Sequence, residues 1–282
     1  MARMVWTEKK IERMHAEGYG SGSGSSYKPW IAVQDVSSQG RSRRVWSPKT
    51  ERVHHFLSDV EYKLFLTCEW AQNVIDIREQ YPLDRTLTQE IAGELRIAHP
   101  TYVGTRVMTV MTVDLLLTIR VNGEKRLLAL NAKRDEEAED AHSLEKLEIQ
   151  RRYFAKLNIP HYLVYHLQLP SQKVRNLEWI RGAQLKQEEP EPHPGFFQSL
   201  CSRMANELAA ASNSLLATPL AAYAEQFDAR HGLEVGTGLR VARMLMEQRV
   251  LMPDLAAPNL ANSSLDTFAV TGSLGTLRAI GG

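Results

Sequence analysis

Three polar residues lie within a predicted hairpin that is otherwise almost entirely apolar. Residues 110–133 read as two strands joined at 122–123 by an Asn-Gly pair, which favours a tight hairpin because both turn positions need positive φ. A two-residue turn places Asp114 opposite Asn131, and Lys133 lies two residues further along the same face. Burying such groups without partners costs on the order of 2–7 kcal/mol for a neutral polar group and more for a charge. They must therefore satisfy each other, bind a metal ion or perform chemistry.

The order of these residues is typical of a metal-dependent nuclease core. The aspartate on the first strand, Asp114, would bridge the metal ion, and the side-chain carbonyl of Asn131 would add a ligand. Lys133 would orient or deprotonate the attacking water and stabilise the charge that develops on phosphorus. A buried ion pair between Asp114 and Lys133, without any catalytic role, is the alternative interpretation.

Glu61 could supply a second carboxylate. Residues 57–71 predict a helix, because apolar residues recur there at helical spacing and Ser58 or Asp59 can cap its start. Glu61 shares a face of this helix with Leu57 and Phe65, at the border of the apolar surface. Mg²⁺ is usually held by one or two carboxylates together with waters and phosphate oxygens, which a Glu61–Asp114 pair would suit. A boundary residue that pairs with a lysine is the alternative.

The elements around the hairpin predict an α/β core. Residues 74–83 read as a strand, 144–157 as an amphipathic helix and 159–167 as a further strand. The unit 127–167 is then a strand, a helix and a strand, which implies a parallel pair with a right-handed crossover. Together with the antiparallel hairpin, this predicts a mixed sheet.

Composition divides the chain into four segments. Residues 1–26 are predicted to form a short helix, capped by Thr7, and a Gly/Ser linker; 27–182 form the catalytic domain; and 183–195 form a linker rich in Pro and Glu. Residues 196–282 begin with helices at 197–216, 219–227 and 237–248, followed by a strand at 250–252. This order suits a mainly helical, winged-helix-like domain, followed after Pro253 by a tail rich in small and polar residues.

The overall composition argues against a membrane or disulfide-rich secreted protein. The chain has 282 residues, of which 43% are hydrophobic and 24% charged. No apolar run reaches the ~20 residues of a membrane helix, and charged residues follow the start of the chain closely. The two cysteines, Cys68 and Cys201, are far apart and read as core residues of a cytoplasmic protein.

The net charge of +1 hides a local basic cluster. Five basic residues with Trp46 among them suit contact with DNA phosphates and stacking, and a solvated basic loop is the alternative. The candidate DNA-binding residues are Arg41, Arg43, Arg44, Lys49 and Arg52.

Several motifs around these candidates resemble the TnsA family, the endonuclease subunits of heteromeric cut-and-paste transposases. The resemblance covers residues 27–180, and the family's two carboxylates and lysine fall on Glu61, Asp114 and Lys133. The family has glutamine at the position of Asn131, and the side chain of asparagine is one carbon shorter than that of glutamine. The motifs are Tyr27-Lys28-Pro29-Trp30, Gly40-Arg41-Ser42, Arg52-Val53-His54-His55, Asp76-Ile77-Arg78-Glu79-Gln80 with Pro82-Leu83, His99-Pro100, and Leu144-Glu145-Lys146-Leu147-Glu148 with Arg151-Arg152-Tyr153.

The resemblance implies a restriction-endonuclease-like catalytic domain that uses Mg²⁺, with two ions and with Mn²⁺ able to substitute. It implies cleavage of the 5′ strands at the ends of transposon DNA, while a partner transposase, TnsB, makes the 3′ cuts and joins the strands. It also implies contact of an ATP-dependent regulator, TnsC, with the winged-helix-like C-terminal region. A stand-alone restriction or repair nuclease of the same fold, or a non-catalytic assembly module, are the alternatives.

Overall fold

The computed structural model describes residues 6–35, 41–135, 140–185, 189–211 and 213–271. The chain divides into two compact units, which meet in sequence between Leu169 and Pro170. The elements of the first unit are α1 (Glu8–Ala16), β1 (Arg43–Ser47), β2 (Arg52–Phe56), α2 (Asp59–Trp70), β3 (Val74–Pro82), α3 (Arg85–Leu95), β4 (Thr112–Val121), β5 (Glu124–Lys133), α4 (Ala141–Lys156) and β6 (His161–Tyr165).

The central sheet of the first unit is mixed, with the strand order β3–β4–β5–β6. Its first two pairs are antiparallel, and β5 pairs with β6 in parallel after the crossover through α4. The expected mixed α/β core is therefore confirmed. Helices α3 and α4 cover one part of the sheet through a buried apolar cluster that includes Ile91, Leu116, Ala129, Ile149 and Phe154.

The predicted register of the β4–β5 hairpin is confirmed. Val121 pairs with Glu124, and the ladder continues to Leu115 and Leu130. Both turn residues, Asn122 and Gly123, have positive φ, at 52° and 85°. The turn thereby fixes which residues face each other at the far end of the hairpin, where the candidate site lies.

Helix α1 packs on the first unit and is not a detached segment. Thr7 caps it as predicted, since its hydroxyl oxygen accepts from the Lys10 backbone N–H at 3.2 Å. Its apolar face places Ile11 and Met14 in a cluster with Trp30 and Tyr102.

The hairpin β1–β2 lies in a region whose sequence shows no strong periodicity and therefore predicts no regular structure. Strand β1 alternates, with Arg44 and Trp46 exposed and Ser47 buried. Because an arginine and a tryptophan occupy its exposed positions, the stretch lacks the alternation of apolar and polar residues that predicts a strand. The turn uses Glu51 at a φ of 54°.

The second unit is mainly helical, as expected. Helix α9 lies at its centre, with Val241, Ala242, Leu245 and Met246 fully buried. The single helix predicted at 197–216 is two helices here, because the first ends at Ala209. The elements are α5 (Ser171–Arg181), α6 (Phe196–Ala209), α7 (Asn213–Leu216), α8 (Leu220–His231), α9 (Thr237–Glu247), β7 (Leu251–Met252) and β8 (Ala269–Val270), and the last two pair antiparallel.

Helix α5 belongs to the second unit, whereas the sequence placed residues up to 182 in the catalytic domain. The Asn176 amide donates to the backbone carbonyls of Leu255 and Ala257 at 3.0 and 2.8 Å, and the Arg243 guanidinium donates to the Trp179 carbonyl. The apolar face of a helix shows that it needs a partner but not which unit supplies it.

Parts of two predicted segments fall outside the described residues: 186–188 of the linker and 272–282 of the tail. Within the described part of the chain, no helix is both long and apolar enough to cross a membrane. Both cysteines are buried and unbridged, as expected.

Candidate active site

Glu61 is held at the first turn of α2 by hydrogen bonds with Ser58 and Leu57. The Ser58 hydroxyl donates to Glu61 Oε1 at 2.8 Å, and the Leu57 backbone N–H donates to Oε2 at 3.1 Å. In return the Glu61 backbone N–H donates to the Ser58 hydroxyl oxygen at 3.2 Å. These bonds satisfy the open end of the helix and fix the carboxylate, which is only 6% exposed.

Asp114 lies just beyond the paired part of the β4–β5 hairpin. Its Oδ2 accepts from the Ala132 backbone N–H at 2.8 Å, so a backbone group of β5 orients it. Ala132 stands between Asn131 and Lys133, which places Asp114 at the same end of the hairpin as both residues. The predicted convergence of the three residues on this end agrees with the structure.

Gln80 connects the two carboxylates and was not singled out from the sequence. Its Nε2 lies 3.3 Å from Glu61 Oε2 and 3.5 Å from Asp114 Oδ1, and the side chain is 3% exposed. It occupies β3 with a φ of 46°, a backbone conformation that residues other than glycine seldom adopt. The position of Gln80 along the chain does not reveal this role. The adjacent polar residues Glu79 and Gln80 were nevertheless a visible signal, because neighbouring residues of a strand face opposite sides of the sheet.

The proximity of the two carboxylates raises the free energy needed to ionise both at once. Burial, followed by the neighbouring charge of Asp114, raises the pKa of Glu61 well above its ordinary value. A cation between them would remove this penalty, because it would stabilise both ionised forms. The pair thus has the electrostatic character of a cation site.

Asn131 is buried and held by a histidine from the neighbouring parallel strand. His161 Nε2 lies 2.8 Å from Asn131 Oδ1, and its ring packs against that of Phe154 at an angle of 36°, with 5.0 Å between the ring centroids. Burial, with a smaller contribution from Arg151, lowers the pKa of His161 to about 4. The ring is therefore neutral near pH 7, and its N–H donates to Oδ1, which keeps a second lone pair for another partner.

Lys133 ends β5 and has a second lysine nearby. Burial lowers the pKa of Lys146, and the charge of Lys133 lowers it further. Lys146 lies on α4 one turn before Gln150, whose amide donates to the Thr112 carbonyl at 2.8 Å. Within the described residues Lys146 makes no ion pair. Two ammonium groups at this end of the sheet favour an anion such as a phosphate.

The donor set suits a hard divalent cation. It offers the carboxylate oxygens of Glu61 and Asp114 and the amide oxygen of Asn131, and waters and phosphate oxygens could complete the coordination. Across the described ranges, no three His, Cys, Asp or Glu side chains are grouped to hold a metal ion. Oxygen donors of this kind suit hard divalent cations, whereas structural zinc sites use mainly nitrogen and sulfur ligands.

The predicted DNA-binding cluster divides into engaged and exposed residues. Arg52 is 7% exposed and forms a bidentate pair with Glu79, at 2.7 Å from Nη1 to Oε1, so phosphate contact by Arg52 is not supported. Arg43 pairs with Asp59 at 3.0 Å. The Lys49 ammonium donates to the carbonyls of residues 71 and 74. Arg41 and Arg44 are exposed, as is Trp46 at 43%.

Comparison with known proteins agrees with this architecture. Residues 71–166 match the family model of the TnsA-like endonuclease N terminal, and residues 168–255 match that of the TnsA endonuclease C terminal. The Escherichia coli protein named Transposon Tn7 transposition protein TnsA is 38% identical to this chain over 190 residues, which cover 67% of the chain and 68% of the relative. The chain therefore belongs to the TnsA family and is the DNA endonuclease subunit of a heteromeric transposase.

Proposed function

We propose that Glu61, Asp114 and Lys133 are the catalytic residues of this endonuclease, with Glu61, Asp114 and Asn131 holding two Mg²⁺ ions that Mn²⁺ can replace. The observation that carries this proposal is the approach of the buried Glu61 carboxylate and the half-buried Asp114 carboxylate to one amide group, at the end of the hairpin that bears Asn131 and Lys133. A divalent cation at this site would polarise the phosphate and lower the pKa of a bound water.

The chain's own residues would orient the reaction. Lys133, at the end of β5, would hold the attacking water and balance the charge on the phosphate oxygens. Lys146 would add positive charge on the α4 side. The hydrogen bonds of Ser58 and Leu57 to Glu61, and that of the Ala132 backbone N–H to Asp114, fix both carboxylates before substrate binds, so little reorganisation accompanies the reaction.

The division of labour follows from membership of the family. This chain would cut the 5′ strands at the transposon ends, and a partner transposase, TnsB, would cut the 3′ strands and transfer them. TnsC would contact the C-terminal region, which we propose works as a winged-helix-like domain in 196–282. The complex would act on DNA in the bacterial cytoplasm. Substituting Asp114 in a reconstituted transposition reaction tests the assignment through the state of the 5′ strands.

His161 offers a test of Asn131 as a ligand. In His161→Phe the ring still packs against Phe154, but Asn131 loses the donor that orients its amide. We expect Mn²⁺ affinity to fall by about tenfold, as on loss of an outer-shell partner. The Mn²⁺ spectrum in electron paramagnetic resonance gives the free ion concentration. Unchanged affinity, with the fold intact by circular dichroism, would remove Asn131 from the ligand set.

Arg41 and Arg44 would contact DNA phosphates beside Trp46. Replacing both with alanine should weaken binding of transposon-end DNA and reduce the slope of log affinity against log salt by roughly one unit per lost contact. Fluorescence anisotropy over a salt series, with the partner transposase present, measures the slope. The control Arg120→Ala removes an exposed arginine near the turn of the β4–β5 hairpin. Equal slopes in all three proteins would exclude these phosphate contacts.

A further inference from the structure

Gln80 is fixed in one orientation by its surroundings. The Thr112 hydroxyl donates to Gln80 Oε1 at 2.9 Å, and this turns Nε2 toward the carboxylates of Glu61 and Asp114. The opposite orientation would face the amide oxygen toward two carboxylates and leave the hydroxyl without this acceptor. The Thr112 hydroxyl and the two carboxylates together therefore favour this orientation of the amide.

The backbone at Gln80 keeps the amide at this position. Its φ of 46° falls where β3 otherwise pairs regularly with β4, through Glu79 with Leu115 and Tyr81 with Val113. Non-glycine residues persist in this region only when the surrounding structure determines it, and such residues concentrate at functional sites. The strand thus departs from regular geometry at a residue whose side chain reaches both carboxylates.

Both carboxylates are held without the help of Gln80. Glu61 accepts from the Ser58 hydroxyl and the Leu57 N–H, and Asp114 accepts from the Ala132 N–H. All three bonds are shorter than the two that Gln80 makes. Removing the amide should therefore leave the carboxylates in place but less well satisfied.

We propose that the Gln80 amide takes the place of the metal ion in the metal-free protein, bridging Glu61 and Asp114 and competing with the cation for their oxygens. This inference rests on the proposed metal site. A divalent ion must break both hydrogen bonds of the amide, so the free protein binds it weakly. Phosphate oxygens of the substrate add ligands to the ion and shift the balance towards binding. Gln80 is thus a positioning residue that couples metal loading to the presence of DNA.

The substitution Gln80→Met tests this competition, because methionine has a similar length and no hydrogen-bonding amide. Mn²⁺ binding to the full-length protein without DNA is measured by electron paramagnetic resonance and by calorimetry. We expect the dissociation constant to fall by roughly three- to tenfold, which corresponds to the loss of one or two weak hydrogen bonds. Without metal the variant should melt at a lower temperature, and Mn²⁺ should raise its melting temperature by more than it raises that of the native protein.

A second variant avoids any change at the strained residue. Thr112→Val removes the hydroxyl that orients the amide and should tighten Mn²⁺ binding in the same direction but by less. The double variant should bind no more tightly than Gln80→Met alone, because both changes act through one amide. Thr118→Val is the matched control, since Thr118 is also on β4 but its hydroxyl oxygen accepts from Arg78 instead. Its affinity should equal that of the native protein.

The variants distinguish an error in the proposed metal site from an error in the proposed role of Gln80. If Asp114→Ala binds Mn²⁺ as tightly as the native protein, the proposed site itself is wrong. If Asp114→Ala loses the ion while Gln80→Met and Thr112→Val bind it unchanged or more weakly, the site stands and the competition by Gln80 is refuted.

Discussion

Replacing Asp114 with alanine is expected to stop cleavage of the 5′ strands while the 3′ strands are still cut. The carboxylate would hold the cation and is tied to β5 through the Ala132 N–H. Without it, the charge on the phosphate in the transition state loses its main stabilisation, and the rate should fall by at least about 10³-fold. Because the 3′ cuts are proposed to belong to the partner transposase, they should continue.

A reconstituted transposition reaction with end DNA, TnsB, TnsC and Mg²⁺ measures this outcome strand by strand. Native protein should give simple insertions, and Asp114→Ala should give replicative cointegrates, because the 5′ strands stay joined to the donor. Glu124→Ala is the control, because Glu124 lies exposed at the turn of the same hairpin. Among the described residues, its ion-pair partner is the exposed Arg126. If the variant still cuts both strands, the catalytic assignment is wrong.

The same reaction separates the alternative functions. A stand-alone nuclease would cut purified end DNA in the absence of TnsB, and a non-catalytic assembly module would support transposition equally well with and without Asp114. Neither result is expected for the endonuclease subunit of a heteromeric transposase.

Replacing Glu79 with glutamine should have the largest effect on stability. Glu79 is fully buried and accepts from both terminal nitrogens of Arg52, from His54 Nδ1 and from the His55 backbone N–H. Glutamine has a similar shape but leaves the Arg52 guanidinium buried without a counter-charge. Breaking a buried ion pair by removing one partner costs about 3–5 kcal/mol. Urea unfolding measures the loss.

Glu148→Gln is a matched control for this prediction. Glu148 also pairs with two arginines, Arg151 and Arg152, but on an exposed face of α4. Exposed pairs contribute about 0–1 kcal/mol, because water and salt screen them. Equal losses of stability from the two substitutions would contradict the structural role of the buried network.

Acid should weaken the Glu79 network in a defined range. Burial alone would raise the pKa of Glu79, but the neighbouring His54 and the Arg52 guanidinium hold it at about 2, below its ordinary value of 4.5. A lowered pKa in the folded state contributes stability that is complete above pH 4.5 and is lost as the pH falls toward 2. Stability measured against pH should therefore fall less steeply in Glu79→Gln over this range. Parallel curves would show that Glu79 is not the titrating group.

The sequence determined the hairpin and, through it, much of the candidate site. An Asn-Gly turn permits few geometries, and side chains alternate along a strand, so register and facing follow from the turn. The position of Asp114 relative to Asn131 could thus be derived locally, as could the crossover from β5 to β6. The placement of Glu61 on the first turn of α2 could also be derived locally, because a capping residue marks where a helix begins.

Only the tertiary structure decided which polar groups meet. Arg52 reads as one member of a basic cluster, yet folding buries it against Glu79, and Gln80 bridges two carboxylates from elements far away in sequence. The apolar face of α5 does not indicate which unit covers it. In the structure α5 belongs to the second unit. Spacing along a chain specifies local geometry, whereas burial and long-range hydrogen bonds depend on how separate elements pack together. That packing placed an amide between the two carboxylates.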